Sequence, residues 1–115
     1  DIDALLLTHL HSDHVIDFYQ LIISSWHSYR TKPWIVYGPV GTKKFVQKIM
    51  NAWKDERELR ISYEARSSIK AFKITVNEFK SEGNIKIKEK LSLSYRPLIF
   101  IICLVKNILS LKLTL

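Results

Sequence analysis

Hydrophobic positions run almost unbroken from Ile2 to Leu7, the pattern of a short strand covered on both faces. A polar turn follows. From Val15 to Tyr29 the apolar residues Val15, Phe18, Tyr19, Ile22, Trp26 and Tyr29 recur at spacings of three and four, which predicts a helix with one face on a core. Lys32-Pro33 ends it, and Trp34 to Tyr37 predicts a second strand. Gly38-Pro39 and Gly41 punctuate the chain before Thr42, the predicted N-cap of a second helix. That helix carries the stripe Phe45, Val46, Ile49, Met50 and Trp53, and the charged run Asp55 to Arg60 marks its exit. Phe72, Ile74 and Val76 alternate with Lys73 and Thr75 as a half-buried strand, and Gly83-Asn84 reads as a turn into a further strand, Ile85 to Ile87. Strand, helix, strand, helix and then strands imply an α/β layered fold.

Composition bounds this picture. With 115 residues, 47% hydrophobic and 25% charged, and only three Gly and three Pro, the chain has material for one small core and is not disordered or low-complexity. A lone cysteine, Cys103, excludes an intramolecular disulfide and suits a cytoplasmic location. The net charge of +7 is uneven: residues 1–84 carry 12 Lys/Arg against 10 Asp/Glu, and residues 85–115 carry 6 against 1. The excess belongs to the end of the chain, so net charge by itself does not mark a nucleic-acid groove. Domain organisation reads as one domain over residues 1–90 followed by an apolar and basic tail over 91–115. Within the tail, Leu98 to Val105 is apolar throughout. That run is far shorter than the roughly 20 residues of a membrane span, so a buried strand or ill-packed tail is expected there and no stable membrane association.

The candidate chemistry lies in Thr8-His9-Leu10-His11-Ser12-Asp13-His14, which holds three of the four histidines. In extended backbone His9 and His11 point to the same side, and a turn at Ser12 presents Asp13 and His14 from the helix entrance. Imidazoles with a carboxylate suit zinc, or manganese or iron, better than calcium or magnesium. Residues 1–17 contain four Asp and no Lys or Arg, a surrounding that attracts a cation. His27 stands alone on the polar side of the first helix and reads as a packing or surface residue.

The pattern His-x-His-x-Asp-His, preceded by a hydrophobic strand and a Thr, resembles the signature of the metallo-β-lactamase superfamily, and residues 4–14 match it without a gap. Trp34 to Thr42 is similar to the strand and Tyr-Gly-Pro-x-Gly-Thr turn of its ribonuclease Z and arylsulfatase-like branch, so the resemblance covers about residues 1–85. It implies a partial αββα sandwich. It further implies that His9 and His11 bind a first zinc ion and Asp13 and His14 a second, with a bridging hydroxide that hydrolyses phosphodiesters, sulfates, lactones or other esters. Asp13 is then also the candidate catalytic proton carrier. The implied partners are RNA or a small-molecule ester, with a homo-oligomer as a further expectation.

The sequence departs from that pattern in two ways. Val15-Ile16-Asp17 stands where the family has a glycine after the last histidine of the motif, and there is no His after His27 and no Asp after Asp55 to complete the ligand set. The expectation is therefore part of a longer parent hydrolase, inactive in isolation. The alternatives are a catalytically dead remnant without metal-dependent activity and an interaction module built on residues 98–115.

Overall fold

A computed structural model describes residues 2–80 with their side chains and the backbone of 83–88, 91–95 and 103–104. Strand β1 (Leu5–Leu6) is followed by helices α1 (Ser12–Val15) and α2 (Phe18–His27), strand β2 (Trp34–Pro39), helices α3 (Thr42–Ala52) and α4 (Lys54–Tyr63), and strand β3 (Ile74–Phe79). β4 (Gly83–Lys88) pairs antiparallel with β5 (Leu91–Tyr95), and β6 (Cys103–Leu104) pairs antiparallel with β1. The main sheet has the order β3-β2-β1-β6, with β1, β2 and β3 parallel. Parallel neighbours need crossover connections, and the helices supply them, so the chain is α/β.

The core sits between this sheet and the helices. Leu5, Leu7, Val15, Phe18, Ile22, Trp34, Val36 and Val46 form its main cluster, and Tyr19, Ile23, Trp26 and Ala71 a second one. Both buried indoles find acceptors, as burial of an N–H requires: Trp26 Nε1 donates to Ser68 O at 2.9 Å and Trp34 Nε1 to Ser25 Oγ at 3.2 Å. Arg30 stacks at 4.0 Å on Trp34 and donates to the carbonyls of Ile2, Lys32 and Pro33, tying the chain before β1 to the approach to β2.

Several expectations are corrected. The predicted helix from Val15 to Tyr29 is two helices, because the chain turns at Ile16 and Asp17 and leaves Ile16 exposed while Val15 and Phe18 both reach the core. Tyr29 lies beyond α2 at φ 60°, exposed, beneath the Arg66 guanidinium instead of on the core. The second helix does end before the run Asp55 to Arg60, at Ala52, but the run is not a loop: it forms most of α4, with Asp55 and Glu56 at its positive end and Arg60 in its last turn. Pairs four residues apart, Lys54–Glu58 at 3.8 Å, Glu56–Arg60 and Arg60–Glu64 at 3.5 Å, support α4, which has no buried residue. Gly41, at φ 103°, occupies the N-cap position assigned to Thr42, and the buried Thr42 hydroxyl donates backwards to Pro39 O at 2.7 Å. Phe72 closes a single 3-10 turn before β3, and Gly83-Asn84 opens β4. Of residues 98–105, all but Cys103 and Leu104 lie outside the described residues.

Candidate active site

The loop after β1 leaves the sheet at its carboxyl edge, where parallel α/β sheets place their ligands. Leu7 N donates to Tyr37 O at 2.8 Å, so pairing with β2 continues one residue beyond β1 and fixes the start of Thr8 to His11. Buried Leu7 anchors the loop from below and half-buried Leu10 packs against the main core cluster, which leaves His9 and His11 on either side of a held residue. His11 is extended, at φ −67° and ψ 145°, and its carbonyl accepts His14 N at 3.0 Å to start α1. Asp13 stands in the first turn of α1.

This brings the four predicted residues into one cluster centred on His9. Its ring centroid lies 4.8 Å from that of His11, edge to face, and 4.2 Å from that of His14. Asp13 Oδ2 is 3.3 Å from His14 Nε2, with Asp13 largely exposed and His14 partly covered. The Thr8 hydroxyl lies 2.9 Å from His9 Nδ1 and orients the ring, while His9 Nε2 is closed off from solvent. Burial, and then the neighbouring His14 and His11 rings, push the His9 imidazole below its ordinary value, which favours the neutral ring with an available lone pair. The donors match a zinc-type ion in kind. Among the described residues, however, no group of three His, Cys, Asp or Glu side chains converges to hold an ion. His27 is a packing residue: its Nε2 lies 3.3 Å from Glu64 Oε1, and its carbonyl accepts Arg66 Nη1 at 2.9 Å.

Two further residues shape the same edge: Gly41, which the sequence marks only as a break before the second helix, and Glu78, which it does not single out. Register pairs Gly38 with Glu78 across β2 and β3, and Glu78 reaches forward so that Oε1 accepts Gly41 N at 2.9 Å and Lys43 N at 2.8 Å. Gly41 in turn faces Leu10 so closely that a Cβ there would lie 3.3 Å from Leu10 Cδ1. The only signal available in the sequence was glycine before a predicted helix; nothing local singles out Glu78, whose role exists only once β2 and β3 pair.

Over 67 residues the chain is 42% identical to the ribonuclease Z of Mycolicibacterium paratuberculosis, covering 56% of this chain and 24% of that protein. It is 40% identical over 67 residues to the ribonuclease Z of Mycobacterium avium, with the same coverage, and 37% identical over 62 residues to that of Limosilactobacillus reuteri, covering 54% of this chain and 19% of the relative. The similarity thus spans a quarter or less of these relatives' length. No protein-family profile and no solved structure matches the chain. More than half of the sequence is therefore related to ribonuclease Z proteins, on the ribonuclease Z side of the resemblance carried by the His-x-His-x-Asp-His segment.

Proposed function

We propose that this chain carries the metal-binding segment of a metallo-β-lactamase-type phosphodiester hydrolase that acts on RNA, with the described strands and helices forming part of the αββα sandwich. The observation that carries this reading is the gathering of His9, His11, His14 and Asp13 at the end of β1 in a chain related to ribonuclease Z. His9 and His11 would hold one zinc ion and Asp13 and His14 a second; bound there, the pair would activate water near neutral pH and polarise the phosphate. Manganese or iron suits the same donors. A four-coordinate ion needs donors beyond these, and they would come from residues other than the four of the motif.

The chain's own contributions are positional. Thr8 and the packing of Leu10 set the His9 and His11 rings before any ligand arrives, and the depressed basicity of His9 favours its neutral ring. Asp13, exposed beside His14, would serve as the proton carrier of the reaction; its exposure and its 3.3 Å approach to His14 support that role. Among the described residues no helix is long and apolar enough to cross a membrane, and the proposed workplace is the cytoplasm.

The test is metal content. Zinc, manganese and iron per chain are measured after extensive dialysis for the wild type and His11→Ala. A wild-type value near two, reduced in the variant, supports the reading and makes cleavage of RNA, and of small sulfate or lactone esters, worth assaying. A value near zero for a folded wild type overturns it and leaves a catalytically dead remnant.

A further inference from the structure

Helix α3 carries Lys43, Lys44 and Lys48 in its first two turns and no acidic residue anywhere. The first turn, with Lys43 and Lys44, is the positive end of the helix dipole, where cations are disfavoured. All three lysines are exposed, and among the described residues none makes an ion pair. The Glu78 carboxylate at the start of this helix is engaged by the backbone N–H groups of Gly41 and Lys43. A local arrangement that works against the helix and gains nothing within the described fold points to a use outside it.

Beside the same helix lies an open groove of about 380 Å³ between α3 and β3. Lys43, Gln47 and Asn51, at successive spacings of four along α3, line it together with Met50, Phe72 and Ile74. Arg57 also lines it, held by a 2.8 Å bond from Nη1 to Met50 O, with its guanidinium 5.7 Å from the centre of the Phe72 ring. A lining that combines cations, amides and an aromatic ring with apolar side chains matches what a single strand needs: charge for the phosphates, hydrogen-bonding groups for base edges and a surface for base faces. The start of α3 adjoins Gly41, which rests on Leu10 between His9 and His11, so a strand in the groove leads towards the histidine cluster.

We propose that the α3–β3 groove is a binding site for single-stranded RNA, with Lys43 and Arg57 of its lining contacting phosphates, the exposed Lys44 and Lys48 of the same helix adding to the field that attracts the strand, and Gln47 and Asn51 contacting bases that lie against Phe72. The proposal rests on the phosphodiesterase reading for its choice of polyanion, and its test is kept separate from metal chemistry. Binding of a fluorescent single-stranded RNA of roughly 12 nucleotides is followed by anisotropy in the presence of a chelator, from about 50 to about 200 mM salt. Replacing the three lysines together (Lys43→Gln, Lys44→Gln, Lys48→Gln) is expected to weaken binding about 10-fold or more and to lower the log–log salt slope by about 2. The unfolding midpoint should stay unchanged or rise, because cations have left the positive end of α3, which separates lost binding from lost folding. Gln47→Ala with Asn51→Ala should weaken binding a few-fold, and an RNA duplex of the same sequence should bind less well than the single strand. Unchanged affinity and slope in the lysine variant, equal affinity for the duplex, or no RNA binding by folded wild type would overturn the proposal. Wild-type binding that depends on the lysines, in a chain that holds no metal, would sustain it while removing the hydrolase reading; metal content near two with variants that bind like wild type would do the reverse.

Discussion

Glu78 meets Lys43 through the main chain and not through charge pairing: its Oε1 accepts the Lys43 N–H at 2.8 Å and the neighbouring Gly41 N–H at 2.9 Å. A side chain from β3 thereby caps α3, a task usually performed by the N-cap residue itself, which here is a glycine without a side chain to offer. Glu78→Ala should destabilise the protein by about 1 kcal/mol, the usual cost of losing a cap, and Glu78→Gln by less, since its carbonyl still accepts. Urea midpoints of the three proteins decide it. Identical midpoints for Glu78 and Ala would mean that the cap adds nothing to stability.

Gly38 faces Thr42 with no room for a side chain, since a Cβ would lie 2.3 Å from Thr42 Oγ1 and 2.9 Å from its Cγ2. Thr42 cannot step aside, being fully buried and bonded through its hydroxyl to Pro39 O. Gly38→Ala should therefore cost about 1–3 kcal/mol. Thr42→Ala removes both clashing atoms, so the double variant should recover part of the loss, with a coupling of about 0.5–3 kcal/mol in the cycle. Strict additivity of the two single changes would exclude this contact as the reason for glycine at position 38.

Trp26 is 1% exposed and joins α2 to the segment before β3 by donating to Ser68 O across 42 positions of sequence. Trp26→Phe keeps much of the apolar volume but strands that carbonyl, an expected loss of about 1–3 kcal/mol. Trp26→Ala should lose about 3–5 kcal/mol. Denaturant unfolding checks both, and a Phe variant as stable as wild type would show that water satisfies Ser68 O.

What the sequence revealed and what it hid follow from the range of the interactions. The buried stripe Phe18, Tyr19, Ile22 and Trp26 was readable because helical spacing alone sets which residues share a face. The His9 to His14 cluster was readable because its members are neighbours in sequence and one turn brings them together. The break at Ile16-Asp17 was not, because Val15 and Phe18 fit one helical stripe as well as two short helices, and only the depth of the core decides. Nor was α4: its charge run has no apolar stripe to announce a helix, and the helix is held by ion pairs along its length and by tertiary bonds such as Tyr19 Oη to Glu56 at 3.2 Å. Glu78 is the extreme case, since its partners lie 35 and 37 residues away and exist only through parallel pairing of β2 with β3.

Glu64 collects the contacts that fasten the end of α4 to α2, with Arg66 Nη2 at 2.9 Å, His27 Nε2 at 3.3 Å and Arg60 Nη1 at 3.5 Å. The hydrogen bond from Arg66 lowers its carboxyl below the ordinary value of 4.5, aided by His27, against a smaller opposing effect of burial. The unfolded chain thus takes up a proton more readily than the folded one. The stabilisation is complete above the unfolded carboxyl's value and is lost as pH falls through the lower folded-state value. Glu64→Gln should therefore lower the melting temperature at pH 7, and the difference from wild type should shrink steadily as the pH is brought below about 4.5 and vanish once both proteins are neutral at this position. Arg66→Gln should weaken the same pH dependence, because it removes the largest cause of the shift. Melting curves of the three proteins between pH 7 and pH 3 provide the measurement; a Gln variant whose deficit persists undiminished in acid would mean that Glu64 acts through shape and not through its charge.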